Sequence, residues 1–382
     1  MLNYRGRSAA ALAAMVTAAS VGLAVPGQAQ PSDGVIGLAQ RVAILTGPDS
    51  INSTDIRHQV KATDLGIMWF DEKGRTLTAF GDTFGKGWVG PGAGSGDPVR
   101  LDWRSNTLAR SSDQNPFDGI SYDDFADDRP GHAKELLPSM KKDHVEISTI
   151  PTGGVNVHGR NYLAYMSVRN FGEPGHWTTN YSGLAYSDDG GQNWVDIPSA
   201  RRQNTPNYDD PFQMTSFTKQ GDYVYAFSTP NGRFGSARVA RVQQDHVLDL
   251  GAYEYWTGKS WSKGSPSIAA PVVSAPVGEI SVLYNDKLNA WMMMYLDEVQ
   301  HAIVLRLAPS PTGPWSIEIP VATASQYPYL YGGFLYPGSD GTDVFFTMTQ
   351  YDKYNVSLMR LGLPPGVLPS LAQIPQLPTP VR

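Results

Sequence analysis

The sequence predicts an all-β fold, a five-bladed β-propeller closed by an N-terminal strand, and three observations carry that expectation. Glycine (39), proline (29) and aromatic residues (11%) are plentiful while helix-type periodicity is scarce, the balance of many short strands joined by tight turns. A strand–turn–strand unit recurs five times along the chain. A spare strand, Arg41 to Leu45, stands ahead of the first unit with no partner inside it.

The first strands of the five units are Thr63 to Phe70, Val145 to Pro151, Gln213 to Thr218, Glu279 to Tyr284 and Tyr331 to Tyr336. The second, more apolar strands are Thr76 to Gly81, Asn161 to Val168, Tyr223 to Ser228, Ala290 to Leu296 and Val344 to Thr349. Turns such as Glu72-Lys73-Gly74-Arg75, Gln220-Gly221-Asp222 and Ser339-Asp340-Gly341 separate the members, as antiparallel pairs require. A third strand follows in four units, at Thr107 to Ser112, Gly183 to Ser187, Ala237 to Val242 and Ile303 to Leu307. Ser187 to Trp194 matches the Asp-box turn Ser-x-Asp-x-Gly-x-x-Trp, in which Asp189 caps backbone amides and Trp194 packs between sheets; Ala308 to Trp315 is a degenerate copy. Small sheets repeated radially make a propeller. Pairing of Arg41 to Leu45 with Val356 to Leu361 closes the ring and removes a free edge. A β-sandwich is the competing architecture.

The ends read differently from the body. Arg5 and Arg7 precede an apolar stretch from Ala9 to Val25, then Pro26 and the small-x-small run Gly27-Gln28-Ala29, the pattern of a cleaved secretory signal peptide over residues 1–29. Residues 30–363 form the propeller, and residues 364–382, with six prolines in nineteen positions, form an extended tail. The expected location is therefore secreted, periplasmic or cell wall, with no membrane association once the signal is removed. Cysteine is absent, so such a fold is held by its core without disulfides or thiolate metal sites. A formal charge of −6 without a basic cluster argues against nucleic acid and anionic membranes as partners and suits a neutral substrate. No metal or other cofactor is expected, and nothing in the chain demands more than a monomer.

In a propeller the first strands line a central channel. Aligning the units puts Asp64, Glu146, Met214, Glu279 and Tyr331 in one ring, three of them carboxylates. Desolvating an acid there is costly unless it is paired or used. Asp82 ends the second strand of the first unit, eighteen positions after Asp64, where the other units carry Ser167, Ser228, Leu296 and Thr349. Glycosidic hydrolysis needs such a pair, one carboxyl protonated and one ionised. The alternative is that both acids only cap backbone amides. Asn106, Asn170, Trp177 and Tyr331 are candidates for hydrogen bonding and stacking with a sugar chain.

Thr63-Asp64-Leu65-Gly66, then Gly81-Asp82-Thr83, Arg104-Ser105-Asn106 and Tyr186 to Gly190 together resemble the secreted endo-D-arabinanases, a five-bladed propeller family formerly catalogued as a domain of unknown function. The resemblance spans about Leu38 to Pro364. It implies endo-hydrolysis of α-D-arabinofuranosyl linkages in envelope arabinogalactan and lipoarabinomannan, with the catalytic aspartates at Asp64 and Asp82. Asp82 is assigned as general acid and Asp64 as base or nucleophile, an assignment that is open to reversal. Glu146 and Glu279 become substrate ligands or modulators. Rival readings are a non-catalytic carbohydrate-binding propeller and a propeller glycosidase of another specificity, for L-arabinan or sialosides. The nucleophile-elbow and His-Glu-x-x-His zinc patterns are both missing.

Overall fold

The computed structural model describes residues 36–94 and 96–364. The expected signal segment and most of the proline-rich tail lie outside these residues. Among the described residues the chain is almost entirely strand and loop, with two four-residue α-helices, Thr54–Arg57 and Pro98–Leu101.

Five antiparallel sheets follow one another along the chain. Blade 1 contains Leu65–Phe70, Thr76–Phe80, Thr107–Ser111 and Asp124–Phe125; blade 2 contains Ser148–Val157, Arg160–Phe171, Trp177–Ser187 and Val195–Asp196. Blade 3 is built on Met214–Gln220, Tyr223–Thr229, Gly235–Gln243 and Glu254–Trp256, and blade 4 on Ile280–Asn285, Ala290–Asp297, Ala302–Ala308 and Ile319–Thr323. Blade 5 consists of Leu330–Leu335, Asp343–Gln350 and Asn355–Gly362, with Gln40–Ile44 as its outermost strand. That strand pairs from Gln40 opposite Arg360 to Ile44 opposite Ser357, so the expected closure by the N-terminal strand is borne out. Each first strand touches the first strands of the blades before and after it, and blade 5 returns to blade 1. The architecture is the five-bladed propeller expected from the repeat.

The inner strands are apolar on both faces because each is covered by a neighbouring blade. Ala290–Asp297, for example, is buried from Trp291 onward. Met292, Met294 and Ile303 of blade 4 share a buried cluster with Leu335, Phe346 and Met348 of blade 5. The Asp box does the same job between blades 2 and 1: Asp189 accepts from the Asn193 amide at 2.9 Å, and Trp194 meets Trp69 edge-on at 6.4 Å. Since every first strand starts, and every second strand ends, at the same end of the ring, the loops between second and third strands gather there.

Candidate active site

A cavity of about 740 Å³ opens at that end of the ring. Asp64, Asp82, Trp177, Glu279 and Tyr331 all line it, together with Met214. The structure thus brings five of the eight expected site residues to one space.

Asp64 is aimed by a local irregularity. Leu65 and Gly66 both take left-handed backbone angles (φ 69° and 90°), and the pairing of the two inner strands slips between Leu65 and Ile67. Such a bulge re-aims the residue beside it. The Leu65 amide leaves its own sheet to donate to Thr349 Oγ1 of blade 5 at 3.1 Å, which fixes the bend. Gly81 lies opposite, its amide donating to the Asp64 carbonyl. A Cβ on Gly81 would come within 2.3 Å of Asp64 Oδ1, so only glycine leaves room for the carboxyl in this position. Blade 5 uses a second bulge, at Gly332 (φ 67°), to turn Tyr331 toward Asp64. The Tyr331 hydroxyl donates to Asp64 Oδ2 at 2.9 Å, while Oδ1 has no partner.

Asp82 is held from the other side. Trp103 Nε1 donates to its Oδ1 at 2.7 Å and Ser148 Oγ of blade 2 donates to the same oxygen. Behind Trp103 stands Lys141, with Nζ 5.2 Å from the indole centroid and paired to Glu135.

These surroundings separate the two carboxyls. Burial, and then the charge of Asp82, push Asp64 up to about 8, against donation from the Tyr331 hydroxyl and the influence of the nearby Tyr354 hydroxyl. Burial also raises Asp82, but Ser148, Trp103 and the Lys141 charge oppose it and leave it at about 6. The two titrate as a coupled pair. Around neutral pH these surroundings favour a proton shared by the pair on Asp64, the residue without a cation beside it. The sequence assignment, Asp82 as general acid and Asp64 as base or nucleophile, was open to reversal, and this order of acidity favours the reversed form.

Across the cavity, Arg233 donates through Nε and Nη2 to Glu279 Oε1 (2.9 and 2.8 Å) and through Nη1 to Glu298 Oε1 (2.9 Å). Its guanidinium faces Tyr331 at 5.2 Å and Trp177 at 5.9 Å. Glu279 Oε2 and Trp177 Nε1 are buried without a hydrogen-bond partner, although both residues contribute to the cavity lining.

Three expected residues are placed elsewhere. Asn106 is fully buried and spent on backbone: its amide donates to the Leu137 and Thr149 carbonyls and accepts from the Leu136 and Leu137 amides, so it staples a loop to blade 2. Glu146 is not in the ring, because the first strand of blade 2 begins at Ser148; it sits in a turn with Lys142 and accepts from Ser167 Oγ at 2.6 Å. Ser148, not Glu146, reaches the pair. Asn170 lies outside the cavity lining and accepts from the Thr178 hydroxyl in the blade 2 hairpin. Sequence reasoning missed Arg233, Glu298, Tyr354 and Ser148. Arg233 and Glu298 follow the second strands of blades 3 and 4, as Asp82 follows that of blade 1, and that shared position was the available signal.

Two proteins of notoamide biosynthesis clusters are similar over most of the chain. Protein J of Aspergillus sp. (strain MF297-2) is 33% identical over 302 residues, covering 74% of this chain and 77% of that protein. Protein J′ of Aspergillus versicolor is 34% identical over 302 residues, covering 75% and 79%. Among solved structures, a putative hydrolase from Bacteroides ovatus aligns with a TM-score of 0.55 at 13% identity over 80% of this chain and 86% of its own. A family 117 glycoside hydrolase of the marine bacterium Zobellia galactanivorans aligns with a TM-score of 0.51 at 12% identity, over 87% and 92%. At such identities the likeness shows a shared fold. The model of the family described as Domain of unknown function (DUF4185) matches residues 49–360, and the chain belongs to that family.

Proposed function

We propose that this protein is a glycoside hydrolase that cleaves within a neutral glycan, with α-D-arabinofuranosyl linkages of cell-envelope arabinan as the substrate and the exterior of the cell as its place of work. The observation that carries the reading is the pair of carboxyls in one cavity whose surroundings push them apart in acidity. Asp64 donates its proton to the departing glycosidic oxygen. Asp82, ionised and oriented by Trp103 and Ser148, either deprotonates the attacking water or attacks the anomeric carbon itself. The propeller likeness to a glycoside hydrolase and the resemblance of Asp64, Gly81, Asp82 and their neighbours to the endo-D-arabinanases support the assignment.

The test is digestion of D-arabinan by the purified protein, followed by chromatography of the products. A ladder of oligosaccharides is expected, and Asp64→Asn and Asp82→Asn should each lower kcat by about a thousandfold or more. Activity should rise as Asp82 ionises near pH 6 and fall as Asp64 loses its proton near pH 8, giving a bell with its top between them. An absence of cleavage of D-arabinan, L-arabinan and sialosides alike would sink the hydrolase reading.

A second reading is favoured by the apolar cavity floor of Ile150, Met166, Met214, Leu296 and Phe334 and by the similarity to notoamide cluster proteins. In it the cavity takes a small, largely apolar molecule. Binding of such molecules without competition from arabinan fragments would select it.

A further inference from the structure

The rim of the cavity carries aromatic side chains that folding alone does not account for. Tyr329 is 68% exposed and holds a left-handed backbone (φ 60°), a strained arrangement for a bulky residue and one that gains little from packing. Its carbonyl accepts from the Tyr351 amide at 3.0 Å, so a second ring, 52% exposed, stands beside it. Both line the cavity. At the end of the second strand of blade 2 Phe171 is 49% exposed, and on the blade 3 loop Phe234 is 44% exposed. Phe234 stacks on His176 with centroids 4.4 Å apart, and the Arg233 amide donates to the Gly175 carbonyl at 2.9 Å, tying the two loops into one ledge. Phe171 and His176 also line the cavity.

Ring order fixes how these ledges lie. In a closed ring of five, the boundary between blades 2 and 3 faces blade 5, which carries Tyr351 and follows Tyr329 directly. Blade 1, with Asp64 and Asp82, sits between blade 5 and blade 2. A chain laid from one ledge to the other therefore passes the carboxyl pair with rings on both sides of it.

We propose that Tyr329 with Tyr351, and Phe171 with Phe234, are two sugar-stacking subsites flanking the carboxyl pair, so that the site takes the interior of a glycan chain and not its end. The inference rests on the glycan-cleaving reading above. Apolar ring faces suit the C–H faces of sugars, and Arg233, the cation at the second ledge, is already paired with Glu279 and Glu298.

Binding separates this inference from catalysis. The full chain carrying Asp82→Asn is titrated calorimetrically with a linear D-arabinofuranosyl hexasaccharide and with the disaccharide. The hexasaccharide is expected to bind at least about tenfold more tightly, and Tyr329→Ala or Phe171→Ala, each checked for an unchanged melting temperature, should remove most of that advantage. Equal affinity for the two lengths, loss of affinity for both in the same proportion on Tyr329→Ala, or no binding of either would overturn the proposal. Length-dependent binding by a wild-type protein that cleaves neither oligosaccharide would uphold the two ledges and overturn the hydrolase instead.

Discussion

Asp64 shows how much one side chain here depends on its neighbours' lack of bulk. Gly81→Ala would drive a methyl to within 2.3 Å of Asp64 Oδ1, and the carboxyl must turn out of its position against Tyr331. The expected outcome is a fall in kcat of about a hundredfold or more, with the far-UV circular dichroism spectrum unchanged. The acidity of Asp64 also has a stability consequence. Between the ordinary carboxyl value of 3.8 and about 8, the folded protein keeps a proton there that the unfolded chain gives up. Stability from this group is therefore fully present below 3.8 and is lost as pH rises through that window. Asp64→Asn removes the dependence, so the variant should melt about 3–6 °C above wild type at pH 8, with the gap closing toward pH 4 in scanning calorimetry. Both acids stood out in the sequence, Asp82 because the other units carry Ser167, Ser228, Leu296 and Thr349 at its position, and Asp64 because three carboxylates fell in one ring of strand starts. Their relative acidity was not legible, since it is set by Trp103, Ser148 and Lys141, which come from a loop, another blade and a turn.

At the level of strands, the repeat was readable because each inner strand is covered on both faces and so appears as an apolar run bounded by turns. The register at strand starts was harder to read. Taking Glu146 as the opening of a strand assumed that the first strands begin in step, whereas blade 2 starts at Ser148, after the turn that pairs Glu146 with Lys142. Asn106 misled for a related reason: a polar residue before a strand looks available until the loop that consumes its amide is seen. The closing strand makes the clearest prediction at this scale. Removing residues through Ile44 strips blade 5 of its outer partner and exposes the backbone edge of Asn355–Gly362. Light scattering should show concentration-dependent association, and the apparent melting temperature should drop by about 10 °C or more.

Over the whole molecule, charge is distributed to match the chemistry proposed. The cavity is lined by Asp64, Asp82, Glu173, Glu279 and Glu298 against a single arginine, and Arg233 is already engaged by two of these acids. A carboxylated sugar should therefore inhibit at least about tenfold more weakly than its neutral counterpart in 0.05 M salt, and the gap should narrow at 0.5 M as screening shortens the reach of the wall. The ring closure has a temporal meaning as well. Thr46 Oγ1 accepts from the Val356 amide across 310 positions, so the fifth sheet must wait until nearly the whole body of the chain is available. Synthesis therefore delivers the opening strand some three hundred residues ahead of its partner, and the ring can close only once Asn355–Gly362 has been made.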